Sequence, residues 1–325
     1  MLFESSTLPE GPARVWVRLP NWLGDVVMAV PLVRAMRASL PGAEFTLLAQ
    51  SHFVPLLEQL GLAENLMAVP SKGGLRYFSF FFGLRKQAPD VHVLFTNSTR
   101  GDLEARVVGA PLRCGIARPG KPRRFLTETW SKPDDLDEAE IHQTRLWERF
   151  LQHFGLEEPL DLSPISTFRS DVVEKRIGLI CATENSPEKR WPIERWRELI
   201  DAMPGFEFHL FGTPRDAEIT GAVAERFSSE RVVDRAGKTG LVEFARELTQ
   251  CETLLANDTG GMHIANLLGV PTVALFGPTN PIRTGPVFEG PTRVLQPEGC
   301  PPSGGTDMKA LSVPEVIAAC EQFSS

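Results

Sequence analysis

The sequence predicts an α/β protein made of two doubly wound domains that face each other across a cleft. Strand-like runs rich in β-branched residues alternate with helical patterns along the whole chain, which implies parallel sheets joined by right-handed crossovers. At 325 residues the chain exceeds one ordinary domain, and with 42% hydrophobic residues it can fill two cores. Midway, the segment Glu157-Glu-Pro-Leu-Asp-Leu-Ser-Pro164 has two prolines and no periodicity, as a linker does. The boundary falls within 160–172, giving an N-terminal domain 1–165 and a C-terminal domain 166–325.

In the first domain the alternating run Arg14 to Leu19 predicts a strand over 13–19. Val26, Val27, Val30, Val33 and Met36 recur at helical spacing, so a helix is expected over about 26–38, stopped by Leu40-Pro41-Gly42. Asp25 therefore sits at a strand-to-helix turn. In an open parallel sheet such turns lie at the carboxyl ends of the strands, where ligands bind. Asp25 also fits a helix cap or a first-turn acid on the helix dipole, and these residues alone leave both readings open. Further strands are expected at 44–50, 65–69, 90–96 and 112–117, with helices near 53–60, 73–87 and 101–109 and a longer one at about 138–154. The acidic run Asp134-Asp135-Leu136-Asp137-Glu138 contains a D-x-D pair, which at the start of that helix reads as a solvated face favoured by the dipole.

In the second domain strands are expected at 176–182, 206–211, 231–235, 253–257 and 271–276, with helices near 193–203, 214–227, 241–250 and 260–269. Phe288 to Asp307, rich in Pro and Gly, is expected to be a long loop. It leads to a terminal helix over 313–323 with Ser312 as its cap.

The charge pattern limits the function. Residues 1–160 carry 18 basic and 18 acidic side chains and residues 161–325 carry 16 and 23, without the basic excess of a nucleic-acid binder. Five scattered cysteines without C-x-x-C, and histidines without H-x-x-x-H, point to neither a disulfide framework nor a metal site. Absence of G-x-G-x-x-G and of the Walker pattern argues against the usual dinucleotide or triphosphate sites. With no long apolar run and no leader-like N-terminus, a soluble cytoplasmic chain is expected.

Asn257-Asp258-Thr259-Gly260-Gly261-Met262-His263 carries the most chemistry. It follows a strand and opens a helix; small residues admit a ligand to the backbone, and the N–H groups and dipole at the helix start suit a phosphate. Capping by Asp258 and Thr259 explains neither the glycines nor His263. The polar loop Thr183-Glu184-Asn-Ser-Pro-Glu-Lys189 follows the first strand of this domain; Lys189 there could neutralise a phosphate, but by itself the segment reads in preference as a solvated loop anchored by Trp191. In the first domain Arg118, Lys121, Arg123 and Arg124 form a basic stretch. Lys72 to Lys86 mixes cations with Phe78, Phe80, Phe81 and Phe82, which reads as a buried helix with basic ends in preference to a lipid-contacting one.

Taken together, the segments Arg18-Leu-Pro-Asn-Trp-Leu-Gly24-Asp25, Lys189-Arg-Trp-Pro192, Ala236-Gly-Lys-Thr239, Asn257 to His263 and Ala274-Leu-Phe-Gly-Pro-Thr279 are similar, in order and spacing, to the ADP-heptose:lipopolysaccharide heptosyltransferases of glycosyltransferase family 9, most like their heptosyltransferase II branch. The resemblance spans nearly the whole chain. It departs at Cys181-Ala-Thr-Glu184, where relatives often read Pro-Gly-Ala-Glu, and at the loop from Cys300. It implies the two-domain GT-B fold without metal or other cofactor, with an acceptor on the N-terminal domain and a nucleotide sugar on the C-terminal one. The terminal helix would cross back onto the first domain. By the same resemblance Gly24-Asp25 supplies the general base, and Lys189 stabilises the departing diphosphate. Gly24, Thr183, Glu184, Lys189, Asp258, Thr259, Gly260, Gly261 and His263 contact the donor. The implied reaction is inverting transfer of L-glycero-D-manno-heptose from ADP-heptose to the anionic inner core of lipopolysaccharide, held by Arg118, Lys121, Arg123 and Arg124, with peripheral contact at the cytoplasmic face of the inner membrane. A different nucleotide sugar or acceptor, or a non-catalytic scaffold of the same fold, are the alternatives; a scaffold needs none of Asp25, Lys189 and Asp258.

Overall fold

The computed structural model describes residues 13–71, 74–168 and 170–323. The N-terminal stretch behind the expectation of no leader, and Lys72 of the aromatic-basic run, lie outside them. Two compact units are present. Residues up to Glu138 together with Gln143–Asp161 form the first, and Ala139–His142 together with the chain from Leu162 form the second. The division thus falls at Asp161/Leu162, inside the expected 160–172 window and four residues before the domain bounds set at 165/166, and Ala139–His142, near the end of the first unit's sequence, belong to the second.

In the first unit the strands are β1 (Arg14–Arg18), β2 (Glu44–Gln50), β3 (Asn65–Val69), β4 (Val91–Leu94), β5 (Leu112–Ala117) and β6 (Glu128–Ser131), parallel and in the order β3-β2-β1-β4-β5-β6. The helices are α1 (Leu23–Met28), α2 (Val30–Ser39), α3 (Val54–Leu60), α4 (Gly74–Gly83), α5 (Thr99–Val108) and α6 (Gln143–His153). The second unit repeats the plan. Strands β7 (Val173–Ile180), β8 (Glu207–Leu210), β9 (Val232–Asp234), β10 (Cys251–Asn257), β11 (Thr272–Leu275) and β12 (Thr292–Leu295) run parallel in the order β12-β11-β10-β7-β8-β9. Its helices are α7 (Ile193–Ala202), α8 (Ala217–Ala224), α9 (Leu241–Leu248), α10 (Gly260–Leu267), α11 (Pro281–Thr284) and α12 (Val313–Glu321). In each sheet the chain winds outward in both directions from a central pair, β1 with β4 and β7 with β10. The carboxyl ends of these pairs are the topological switch points, where open α/β sheets hold ligands.

Several expectations need correction. The helix foreseen over 26–38 is two helices meeting at Ala29, because Pro31 brings no N–H to continue the first; Ala29 N closes α1 on Asp25 O at 3.0 Å. The long helix begins at Gln143, so the acids at 134–138 lie in exposed turns and gain nothing from a helix dipole. Two edge strands were unforeseen. In β6 only Trp130 is buried, and β12 is short, half-exposed and set in a Pro-rich stretch, so neither shows the apolar run that marks an interior strand. Within the second unit's core, Val316, Ala319 and Cys320 of α12 pack with Trp196 and Leu199 of α7.

The aromatic run folds as the core reading expects. Tyr77 and Phe81 of α4 are buried with Trp16, Leu48, Val69 and Val108, while Phe82 is 63% exposed with the Arg85 guanidinium 5.4 Å from its ring centre. No helix among the described residues is long and apolar enough to cross a membrane.

Candidate functional site

The β1–α1 turn of the first unit carries Asp25 as the third residue of α1, whose cap is Trp22 without a side-chain bond. Asp25 is thus a first-turn acid and not the cap. It is half-buried and lines a pocket of about 260 Å³ together with Asn21 and Trp22 from the same turn, Thr96, Asn97 and Ser98 after β4, Arg118 and Arg123 after β5, and Trp147 of α6. The β1 and β4 turns meet here because their strands are neighbours at the switch point. Gly24 precedes Asp25 in the first turn of α1.

The four cations expected to act together are separated by the fold. Arg123 is buried against Asp102 of α5, with Nε 2.8 and 2.9 Å from its two oxygens and Nη2 2.5 Å from Oδ1, and it also donates to Thr96 O, Ile116 O and Asn97 Oδ1. Its charge is balanced, so it supports the pocket wall and does not form part of an open basic patch. Arg118 lines the pocket and pairs with Glu138 at 3.1 Å. Lys121 and Arg124 are exposed and do not line it. A second buried ion pair lies beneath the same pocket: Arg18 Nε is 3.0 Å from Glu104 Oε2, and Glu104 also accepts from the Tyr77 hydroxyl. Burial and this carboxylate hold the Tyr77 hydroxyl far above its ordinary range.

In the second unit the turns after β7 and β10 converge in the same manner. Lys189 Nζ lies 2.7 Å from Asp258 Oδ2, and the Thr279 hydroxyl donates to the same oxygen at 2.8 Å. An ammonium has three N–H donors, so those not facing Asp258 remain for phosphate oxygens. Asn257 fixes the loop that carries the lysine: its Nδ2 donates to Cys181 O at 2.8 Å and its Oδ1 accepts from Trp191 N at 3.1 Å. The Trp191 ring is buried and donates to Leu311 O.

Thr259 caps α10 in extended conformation, its hydroxyl buried with no hydrogen-bond partner, so neither it nor the first N–H groups of the helix are closed by a cap bond. Gly260 begins the helix. Gly261 has a packing cause: a Cβ there would lie 2.4 Å from Ile180 Cδ1 and 3.1 Å from the Phe244 ring. His263 is buried in the first turn, and burial lowers it to about 4; Asp258 opposes that shift, while His142 and Lys189 add to it, so the ring is neutral at physiological pH.

Other expected donor contacts are used within the loop. The Thr183 hydroxyl donates to Ser186 O at 2.7 Å and accepts from Arg190, which closes the turn. Glu184 is exposed, 3.6 Å from the exposed Arg215. Asn257 and Thr279, by contrast, received no role from sequence reasoning, although both stand in quoted segments. The signal was their place at the carboxyl ends of adjacent strands, Asn257 as the last residue of β10 and Thr279 in the turn after β11. Among the described residues no group of three or more His, Cys, Asp or Glu side chains is disposed to hold a metal ion.

The chain is similar to known proteins over most of its length. Lipopolysaccharide heptosyltransferase 2 of Escherichia coli is 25% identical over 295 residues, covering 82% of this chain and 84% of its own. Lipopolysaccharide heptosyltransferase 1 of the same organism is 30% identical over 288 residues, covering 82% and 89%. The fold is shared with a family 9 glycosyl transferase of Veillonella parvula (TM-score 0.81, 23% identity, 98% and 99% covered) and with E. coli ADP-heptose lps heptosyltransferase II (TM-score 0.80, 24% identity, 95% and 98% covered), as expected for two doubly wound units of the GT-B class. The family described as glycosyltransferase family 9 (heptosyltransferase) matches residues 83–310, well over half of the sequence, and the chain belongs to that family.

Proposed function

We propose that this glycosyltransferase is an inverting, metal-independent heptosyltransferase that moves L-glycero-D-manno-heptose from ADP-heptose onto the inner core of lipopolysaccharide. In this reading the acceptor occupies the first-unit pocket and the donor lies against the β7 and β10 turns of the second unit. Asp25 accepts the proton of the acceptor hydroxyl as that oxygen attacks the anomeric carbon; the bond from that carbon to the phosphate oxygen breaks and ADP leaves. Charge grows on the departing diphosphate, where the Lys189 ammonium and the N–H groups of α10 with the Thr259 hydroxyl would stabilise it. The observation that carries the reading is the Lys189–Asp258–Thr279 cluster, set at a switch point beside an uncapped helix start. Neutral His263 beneath it would shape the pocket without adding charge.

The same reading brings the protein to the anionic cytoplasmic face of the inner membrane, with exposed Phe82 and its neighbour Arg85 as the contact.

The test is ADP release together with acceptor mass gain, using ADP-heptose and a lipopolysaccharide core carrying one heptose, in wild type and Asp25→Asn. The expected outcome is transfer by wild type and a loss of about 10²–10⁴-fold in the variant, the usual contribution of a general base. Equal transfer by both would remove Asp25 from the mechanism. No transfer by either, with turnover of UDP- or GDP-sugars instead, would replace the donor.

A further inference from the structure

The two buried ion pairs of the first unit share a feature beyond holding the wall together. Arg18 Nη2 donates to Asn21 Oδ1 at 3.1 Å, and Arg123 Nη1 donates to Asn97 Oδ1 at 3.1 Å. A guanidinium offers donors only, so each asparagine must turn its oxygen to the arginine and its Nδ2, with two N–H groups, away from it. Neither arginine is free to swing. Arg18 is held by Glu104 and Leu19 O, and Arg123 by Asp102, Ile116 O and Thr96 O. Both acids stand on α5, buried at 2% and 1% exposure, so one helix anchors both arginines. Asn21 is further fixed through its carbonyl oxygen, which accepts from Gln50 Nε2 at 3.0 Å.

Both asparagines line the pocket that holds Asp25. So does Thr96, whose buried hydroxyl has no hydrogen-bond partner. A buried hydroxyl at the pocket wall with no protein partner is available to bond a molecule that enters. We propose that Asn21 and Asn97 are acceptor-binding residues, each with its amide turned into the pocket by a buried arginine, and that Arg18 and Arg123 are the positioning residues that turn them. The pocket then offers one carboxylate that takes a proton and two fixed amides that donate to oxygens. That set suits a sugar whose reacting hydroxyl is flanked by further hydroxyl, carboxylate or phosphate oxygens, and it favours such an acceptor over one that lacks them. The inference rests on the acceptor occupying this pocket, as proposed above.

The test compares Asn21→Ala, Asn97→Ala, Asn21→Asp and Asn97→Asp by thermal melting and by steady-state kinetics with ADP-heptose and the one-heptose core. An aspartate keeps an oxygen for the arginine and strengthens that bond, yet has no N–H to offer. Expected results are a lower Tm in the alanine variants, a Tm at or above wild type in the aspartate variants, and an acceptor KM raised at least about tenfold in all four, with donor KM within about twofold. Recovery of the acceptor KM along with the Tm in the aspartate variants overturns the proposal, since the asparagines then serve only their arginines. Wild type that transfers nothing overturns the placement of the acceptor itself, and the inference falls with it.

Discussion

Replacing Lys189 by Ala separates two roles that the structure superimposes on one side chain. Its ammonium is 2.7 Å from Asp258 Oδ2, with the two side chains 24% and 7% exposed. Removing one partner of a fully buried pair costs about 3–5 kcal/mol; water reaches the lysine side here, so about 1–3 kcal/mol is the expected loss. Asp258 keeps the Thr279 hydroxyl and is not left wholly unbonded. The catalytic effect is separate: losing one fixed group that stabilises developing charge lowers kcat by about 10²–10³. The double variant Lys189→Ala with Asp258→Asn tells the two apart. With both charges gone the stability defect shrinks to about 1 kcal/mol or less, while turnover stays low. Urea denaturation and single-turnover ADP release measure the two quantities. If the double variant regains turnover together with stability, Lys189 serves only to hold Asp258, and the diphosphate reasoning is refuted.

Acid should weaken the fold through two histidines. Burial, reinforced by Arg18 and Arg113, lowers His92 to about 3, and His263 stands at about 4. Both folded values lie below the unfolded value of about 6.5, so the unfolded chain takes up protons first. The stability they contribute is complete above that value and declines as pH falls toward 4 and 3, by at most about 1.4 kcal/mol per unit for each ring. Urea midpoints at pH 7.5 and pH 5 measure the slope, and His92→Phe should flatten it, because phenylalanine takes up no proton in either state; neither ring nitrogen of His92 has a hydrogen-bond partner for the substitution to remove. For the membrane contact, co-sedimentation with vesicles containing anionic lipid is expected to drop several-fold in Phe82→Ser with Arg85→Ser; binding equal to wild type would remove that surface from the proposal.

Periodicity made the α/β alternation legible, and it did so best for interior elements. Interior strands such as β2 and β5 are largely buried runs whose bounds were read directly, and the apolar residues of the edge strand β3 sufficed to mark it as well. Edge strands β6 and β12 were not read, since an edge carries little burial and so little pattern. The turns after β1, β7 and β10 could be found as strand-to-helix junctions, and Asp25, Lys189 and Asp258 stand there. What the sequence hid was pairing at a distance. Arg123 reads as one of four cations in a basic stretch, and nothing in the local pattern marks Asp102. Only the adjacency of β4 and β5 brings them within 2.5 Å, burying the one cation and leaving Lys121 and Arg124 outside. The Thr96-Asn97-Ser98 turn was missed for the same reason: its meaning comes from β4 lying next to β1, which no local pattern states.

The two acids of α5 bear on how this sequence can drift over evolutionary time. Arg18 and Arg123 are far apart in the chain, yet each is tied to a carboxylate on the same helix, and loss of either partner alone strands a buried charge at about 3–5 kcal/mol. Single steps away from these residues are therefore closed, whereas joint replacement of an arginine and its acid by apolar side chains remains open. Among relatives, position 18 should change with position 104 and position 123 with position 102. Where the pair at 102 and 123 has gone, the amide at 97 has lost the group that orients it, and such chains are where a different acceptor is to be sought.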